Sequence, residues 1–454
     1  MEASDSVLEE RVEMMPPIRI ISTTYGFSSL EAPFLNALLQ IERVRRHLGV
    51  QKNVDWRFIS TATLEKPEVN SEDSAMIRSQ LRQEGIIAFN VGGAKHLGEW
   101  DQHGRAENQG LCEMCSLDLV RGNYDFLTHR PWLTSIYAAV RQNDIYGTKL
   151  CPEPRNIRLL MNGLATCYPA STQENCRLIL DTMSMAFWGV FQRSQAGFPA
   201  DQAFRLDQLL EGVKAHYADE PERIRLFIDL VAKAEQAMDQ DWEEAVQAVS
   251  KAEAFKKGRT VDHPLIKQMV DRQVRLIEVQ SDSLKAAPAT RTSNRVDGNG
   301  KSFKRPPYDL SIVCRQNGHV QISSGTLFQY GKNDQGKNGI IGKWRFDLSH
   351  IAMKLRILEA KFADKRLERG NFTASGFVFY ANGQACPWYL PEFRTSLLNG
   401  SLSSPDVPPT KIDHNKILDL VARELPSSSL LRADEQGNWC HVAFDEEGQW
   451  HYTA

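Results

Sequence analysis

The residues best suited to chemistry follow an apolar run, Ile86 to Val91, that breaks at Gly92-Gly93. Asp101, Gln102 and His103 come a few residues later. An Asp and a His delivered beyond a strand can hold a metal, and glycines at a strand end let the backbone approach a phosphate. A second polar loop, Thr23 to Ser29 with Gly26 inside it, follows the apolar run Ile18 to Ser22. Asn143-Asp144 reads as a polar turn that could return to the same place. Each of these also has a structural reading. Gly92 and Gly93 suit a turn, Glu31 favours a helix N-terminus, and Asp101 and His103 could pair on a surface loop.

Such loops need strands behind them. Ile18 to Ser22, Trp56 to Ile59 and Ile86 to Val91 have β-type composition, the last as a run buried on both faces. Between the first two, Leu30, Phe34, Leu38, Ile41, Val44 and Leu48 share one helical face, with Ser29 as N-cap and Glu31 in the first turn. A helix from Asp73 to Arg82 precedes the third. Strands alternating with helices predict a mostly parallel sheet, with ligands beyond the carboxyl ends of its strands. Helices near Leu111 to Arg121 and Pro131 to Gln142 follow.

Residues 174–286 read as a helical subdomain, a possible cap. Its expected helices are a strongly apolar one around Leu178 to Phe191, then Asp201 to Tyr217, Pro221 to Met238, Asp241 to Phe255 and Pro264 to Leu284. Residues 287–308 lack periodic apolar positions and read as a linker. Its Arg291, Arg295, Lys301, Lys304 and Arg305 could touch phosphates, though solvated basic side chains are the commoner case. Residues 309–454 read as α+β. They contain a hairpin at Asn317-Gly318, a helix through Ile351, Leu355, Leu358 and Phe362 ending before Gly370, and a closing hairpin from Trp439.

The chain has 454 residues, 42% apolar and 24% charged, with a formal charge of -3. That length exceeds one core, and the charge implies no whole-protein field that recruits nucleic acid. No apolar run approaches the roughly 20 residues that span a membrane. The first fifteen residues lack a signal-type apolar region, so a cytoplasmic location is expected. The eight cysteines fit reduced thiols, and Cys112 and Cys115, though spaced C-x-x-C, lack a second pair for a structural zinc site.

The ordered loops resemble the DHH phosphoesterase superfamily, in particular its branch of metal-dependent protein hydrolases with exonuclease activity. Thr23-Thr24-Tyr25-Gly26-Phe27-Ser28-Ser29-Leu30-Glu31-Ala32 stands where that branch has Thr-His-x-Gly-x-Phe-His-x-Asp-Glu. Asn90-Val91-Gly92-Gly93 stands for Asp-Val-Gly-Gly, Asp101-Gln102-His103 for Asp-His-His, and Asn143-Asp144 lies near a later Asp-Asn-Gly turn. The likeness covers about the first 150 residues. It implies a divalent metal, manganese or magnesium, held by Glu31, Asp101, His103 and Asp144. It also implies catalytic roles for Asp101 and His103, and phosphate contact at Gly92, Gly93 and Gly26. The chain departs from the pattern at Thr24, Ser29, Asn90 and Gln102, where amides and hydroxyls replace strong metal ligands.

The expected fold is therefore α/β: a parallel-sheet DHH-like domain over 17–173, the helical subdomain, the linker and an α+β C-terminal domain. The expected function is binding or hydrolysis of a phosphodiester in a nucleotide or nucleic acid. The other reading is a catalytically inactive scaffold or nucleic-acid binder, meeting a protein partner through its helical subdomain and using the basic helix from Lys354 to Arg369.

Overall fold

A computed structural model describes residues 16–25, 29–64, 74–89, 115–146, 154–292, 294–296, 302–304, 307–332, 337–368, 370, 372–391, 394–399, 404–434, 439–444 and 450–452. The fold is mixed α/β, and the chain divides into two compact units. One is Met1–Met238 with Leu402–Pro405; the other is Asp239–Ser401 with Asp406–Ala454. Among the described residues no helix is long and apolar enough to cross a membrane.

The first unit is built on three parallel strands in the order β2-β1-β3: β1 Ile18–Thr24, β2 Val50–Ile59 and β3 Ile86–Ala88. The segment after β1 forms two helices, Glu31–Leu39 (α1) and Glu42–His47, where the apolar face predicts one. Ile41 is extended and breaks the run. Helices Ser116–Asn123 (α2) and Pro131–Tyr146 (α3) follow. Asn143-Asp144 is thus not a turn: it lies within α3, where Asn143 is buried and accepts a hydrogen bond from Arg158 Nη2 at 2.7 Å.

The apolar segment beyond residue 172 is the helix Gln173–Gln195 (α4), capped by the Thr172 side chain on the Asn175 amide. Its buried residues lie on most sides, so it sits in a core rather than over one. Phe187 and Phe191 meet Phe34 of α1 edge-on, with ring centroids 5.4 and 5.6 Å apart. The same apolar cluster runs from Ile18 of β1 to Ala234, so residues 174–238 share the core of the sheet and do not form a separate subdomain. Leu206–His216 (α5) packs on α4 through facing glycines, Gly189 and Gly212. Pro221–Ala254 (α6) is one helix of 34 residues where two are expected, and the division between the units falls inside it.

The second unit starts earlier than the composition suggests. After β4 Gly258–Val261 and the helix Pro264–Val270 (α7), residues Val274–Gln280 form strand β5, correcting the expected helix through Leu284. Val274, Leu276, Ile277, Glu278 and Val279 are all buried, as befits an interior strand. It lies between β4 and β8 Leu310–Cys314 in a six-stranded sheet of order β12-β13-β9-β8-β5-β4. The intervening residues, expected as a linker, include a short helix whose Ala286, Ala287, Ala289 and Thr290 are buried. They also include a two-stranded ladder, β6 Asn294–Val296 with β7 Ser302–Lys304. The Asn317-Gly318 hairpin joins β8 to β9 Val320–Ser324, with Gly318 at φ 83°.

A second sheet, order β10-β11-β14-β15-β16, is antiparallel. Its strands are β10 Leu327–Lys332, β11 Asn338–Phe346, β14 Leu430–Ala433, β15 Trp439–Phe444 and β16 Trp450–Tyr452. The remaining strands of the first sheet are β12 Trp388–Tyr389 and β13 Ser396–Asn399. Ser349–Ala363 (α8) ends at Asp364 in the left-handed conformation, short of the expected end near Gly370.

Candidate functional site

The carboxyl edge of the parallel sheet is where β1 hands over to α1. Thr23 and Ser29 are buried there, and Glu31, the first residue of α1, is 0% exposed. Leu30, not the expected Ser29, is the N-cap of α1; the Ser29 hydroxyl, one residue earlier, accepts the Glu31 amide and donates to Glu31 Oε2, both at 3.3 Å. Glu31 Oε1 accepts the backbone amide of Leu117 at 3.2 Å. Leu117 lies in the first turn of α2, whose leading amides have no partners within the helix. A buried carboxylate at that terminus gains both a donor and the favourable end of the helix dipole.

Cys115 precedes α2 as its N-cap. Its amide donates to Asp118 Oδ2 at 2.9 Å, closing a capping box. Asp118 in turn accepts Arg141 Nε at 2.9 and 3.0 Å and the Tyr137 hydroxyl, which ties α2 to α3. Burial, then the charges of Glu31, Asp118 and Asp144, push the Cys115 thiol far up. A thiol so placed stays protonated and is neither a nucleophile nor a ready metal ligand. Burial and Asp118 likewise push up the Tyr137 phenol. Burial lowers the Arg158 guanidinium, and the charge of Asp144 opposes that shift.

The structure thus brings two expected residues, Glu31 and Asp144, within electrostatic range of one thiol. Gly26, Gly92, Gly93, Asp101 and His103 lie outside the described residues, as do Asn90 and Gln102. Among the described residues no group of three or more His, Cys, Asp or Glu could hold a metal ion. Glu31 and Asp144 are the two expected ligands that lie among the described residues, and each oxygen of Glu31 accepts a hydrogen bond. The network of Cys115, Asp118, Tyr137 and Arg141 is not legible as a site in the sequence. Its one local signal is Asp118 three residues after Cys115, a capping spacing hidden by a cysteine in the place of serine or threonine.

An open groove of about 870 Å³ runs beside the carboxyl end of β2. Asp55, Arg57, Phe58, Gln173 and Arg177 line it among the described residues. Gln173 completes this edge strand: its side chain accepts the Phe58 amide at 3.0 Å and donates to the Phe58 carbonyl at 2.5 Å. Arg177 pairs with Asp55 across the groove. Compared with known proteins, the chain matches no family model, no curated protein and no solved structure.

Proposed function

We propose that this chain is a diverged DHH-like protein that binds a phosphodiester-bearing ligand, a nucleotide or nucleic acid, at the carboxyl edge of its parallel sheet. The observation that carries this reading is the fully buried carboxylate of Glu31, held at that edge by hydrogen bonds with Ser29 and Leu117. Glu31 is one of the four residues that the resemblance assigns to one metal-bearing site. Ligands of open α/β sheets bind at this same edge. The amides and hydroxyls at Thr24, Ser29, Asn90 and Gln102, weak metal ligands beside carboxylate or imidazole, favour binding without hydrolysis.

A second reading, metal-dependent hydrolysis, keeps Asp101, His103 and Asp144 as ligands. The two are separated by the metal content of the purified full-length protein and by manganese-dependent turnover of bis(p-nitrophenyl) phosphate. Binding of a mononucleotide by calorimetry with no turnover supports the proposal. Turnover that Asp101→Ala with His103→Ala abolishes supports the hydrolase. Neither binding nor turnover refutes both. Exposed Leu226, Ile228 and Trp242 on α6 support a protein partner along that helix.

A further inference from the structure

The antiparallel sheet of the second unit has one face in a core, through Leu327, Trp344, Phe346 and Leu430. Side chains alternate between faces along each strand, so the register fixes what the other face carries. Phe328 pairs with Lys343, Tyr330 with Ile340, and Leu431 with both Arg345 and His441. The register shift at Gln329/Tyr330 passes over Ile341, which brings Ile340 round beside Tyr330 on the outer face.

This outer face combines rings and cations. Phe328 is 38% and Tyr330 71% exposed, and Lys332 and Lys343 are exposed beside them. The Arg345 guanidinium lies 4.4 Å from the Trp439 ring centroid, and its Nε donates to Thr326 Oγ1 at 3.2 Å. Burial and the nearby charge of Arg291 lower Arg345 to about 10. Arg291 Nε is itself buried without a hydrogen-bond partner among the described residues. Neither guanidinium forms an ion pair among the described residues, and no described strand residue of this face is acidic. Asp347, one residue past β11, lies 3.5 Å from His441 Nδ1.

Two partly desolvated cations near each other, with no acid between them, favour a bound anion. Exposed rings on the same surface favour flat apolar groups attached to that anion. Phosphates linked to unpaired bases supply both. A duplex keeps its bases stacked internally, and an acidic peptide would leave the rings unused. We infer that the outer face of this sheet binds single-stranded nucleic acid, with Phe328, Tyr330 and Trp439 stacking on bases and Arg291 and Arg345 holding a phosphate. This surface consists of second-unit residues alone and stands independently of the acidic cluster in the first unit.

The test is fluorescence anisotropy of the full-length protein with labelled oligouridine and oligo(dT) of about 15 nucleotides, a length near one binding site. Affinity is expected to fall steeply as salt rises. Phe328→Ala with Tyr330→Ala removes exposed rings without opening the core and is expected to weaken binding about tenfold or more. Arg345→Ala is expected to weaken it and to reduce the salt slope by about one. Arg46→Ala, on an exposed helix of the first unit, is expected to change nothing. The inference is overturned by absent binding at low salt, by equal affinity for a duplex, or by heparin or polyglutamate binding as tightly as the oligonucleotides. Undiminished binding by the Phe328/Tyr330 variant also overturns it, and decides the matter even if Arg345→Ala fails to fold. A failure here leaves mononucleotide binding, read by calorimetry, as a separate result.

Discussion

Glu31 Oε1 accepts the Leu117 amide at 3.2 Å, joining the start of α1 to the start of α2 across 86 residues of chain. Both groups are buried, so the bond is made in a poorly solvating interior, where an unmade partner is expensive. Glu31→Ala takes the acceptor from the buried Leu117 amide, and is expected to cost about 2–4 kcal/mol of stability. Glu31→Gln, which keeps an acceptor, is expected to cost less. Urea unfolding followed by tryptophan fluorescence checks both, and an unchanged Glu31→Ala midpoint would remove Glu31 from the structural network.

The contact between α4 and α5 is backbone against backbone. A Cβ on Gly212 would lie 2.0 Å from the Gly189 carbonyl oxygen, and one on Gly189 would lie 2.4 Å from that of Leu209. No flexible side chain can move aside to relieve either. Gly212→Ala is expected to destabilise the first unit by about 3 kcal/mol, at the upper end of overpacking costs. A thermal melt that matches the unsubstituted protein would show that the helices separate freely.

Arg356 is wholly buried, yet it bonds the backbone carbonyls of Trp388, Phe372, Ala374 and Gly376. The guanidinium fork organises the irregular segment after α8, and nearby Glu359 accepts Trp388 Nε1 at 3.0 Å. Arg356→Met takes the guanidinium donors from those carbonyls, of which Gly376 keeps the Leu390 amide, and is expected to cost about 3–5 kcal/mol. Arg356→Lys should recover little, because an ammonium cannot span the same acceptors. Soluble expression and limited proteolysis between residues 364 and 391 read the outcome.

His263 caps α7 from within the core. Its Nδ1 accepts the Ile266 amide at 3.4 Å while Nε2 meets the Ser428 carbonyl at 3.1 Å, which suits a neutral ring protonated at Nε2. Burial lowers its pKa, so the folded chain takes up this proton less readily than the unfolded chain. The stability it contributes is present above the ordinary value of about 6.5 and is lost as pH falls below it. Hydrogen-exchange protection over Pro264–Val270 is expected to drop as pH falls below about 6.5. In His263→Asn the remaining pH dependence should be smaller; an equal dependence would assign it to other groups.

The sequence by itself determined the local pieces. The apolar runs beginning at Ile18 and Ile86 are strands, and Asn317-Gly318 makes a hairpin, because composition and turn chemistry act over a few residues. Glu31 at the start of a helix was legible for the same reason. Only the tertiary structure decided the rest. Val274–Gln280 became a strand because β4 and β8 flank it, and a buried segment of mixed period takes the form its neighbours can bond. Asn143-Asp144 joined a helix because Arg158 supplies a partner for Asn143 that a turn would have sought in solvent. Glu31 gained its hydrogen bond from Leu117 and its place beside Cys115 from contacts far along the chain, and local spacing carries no record of such contacts.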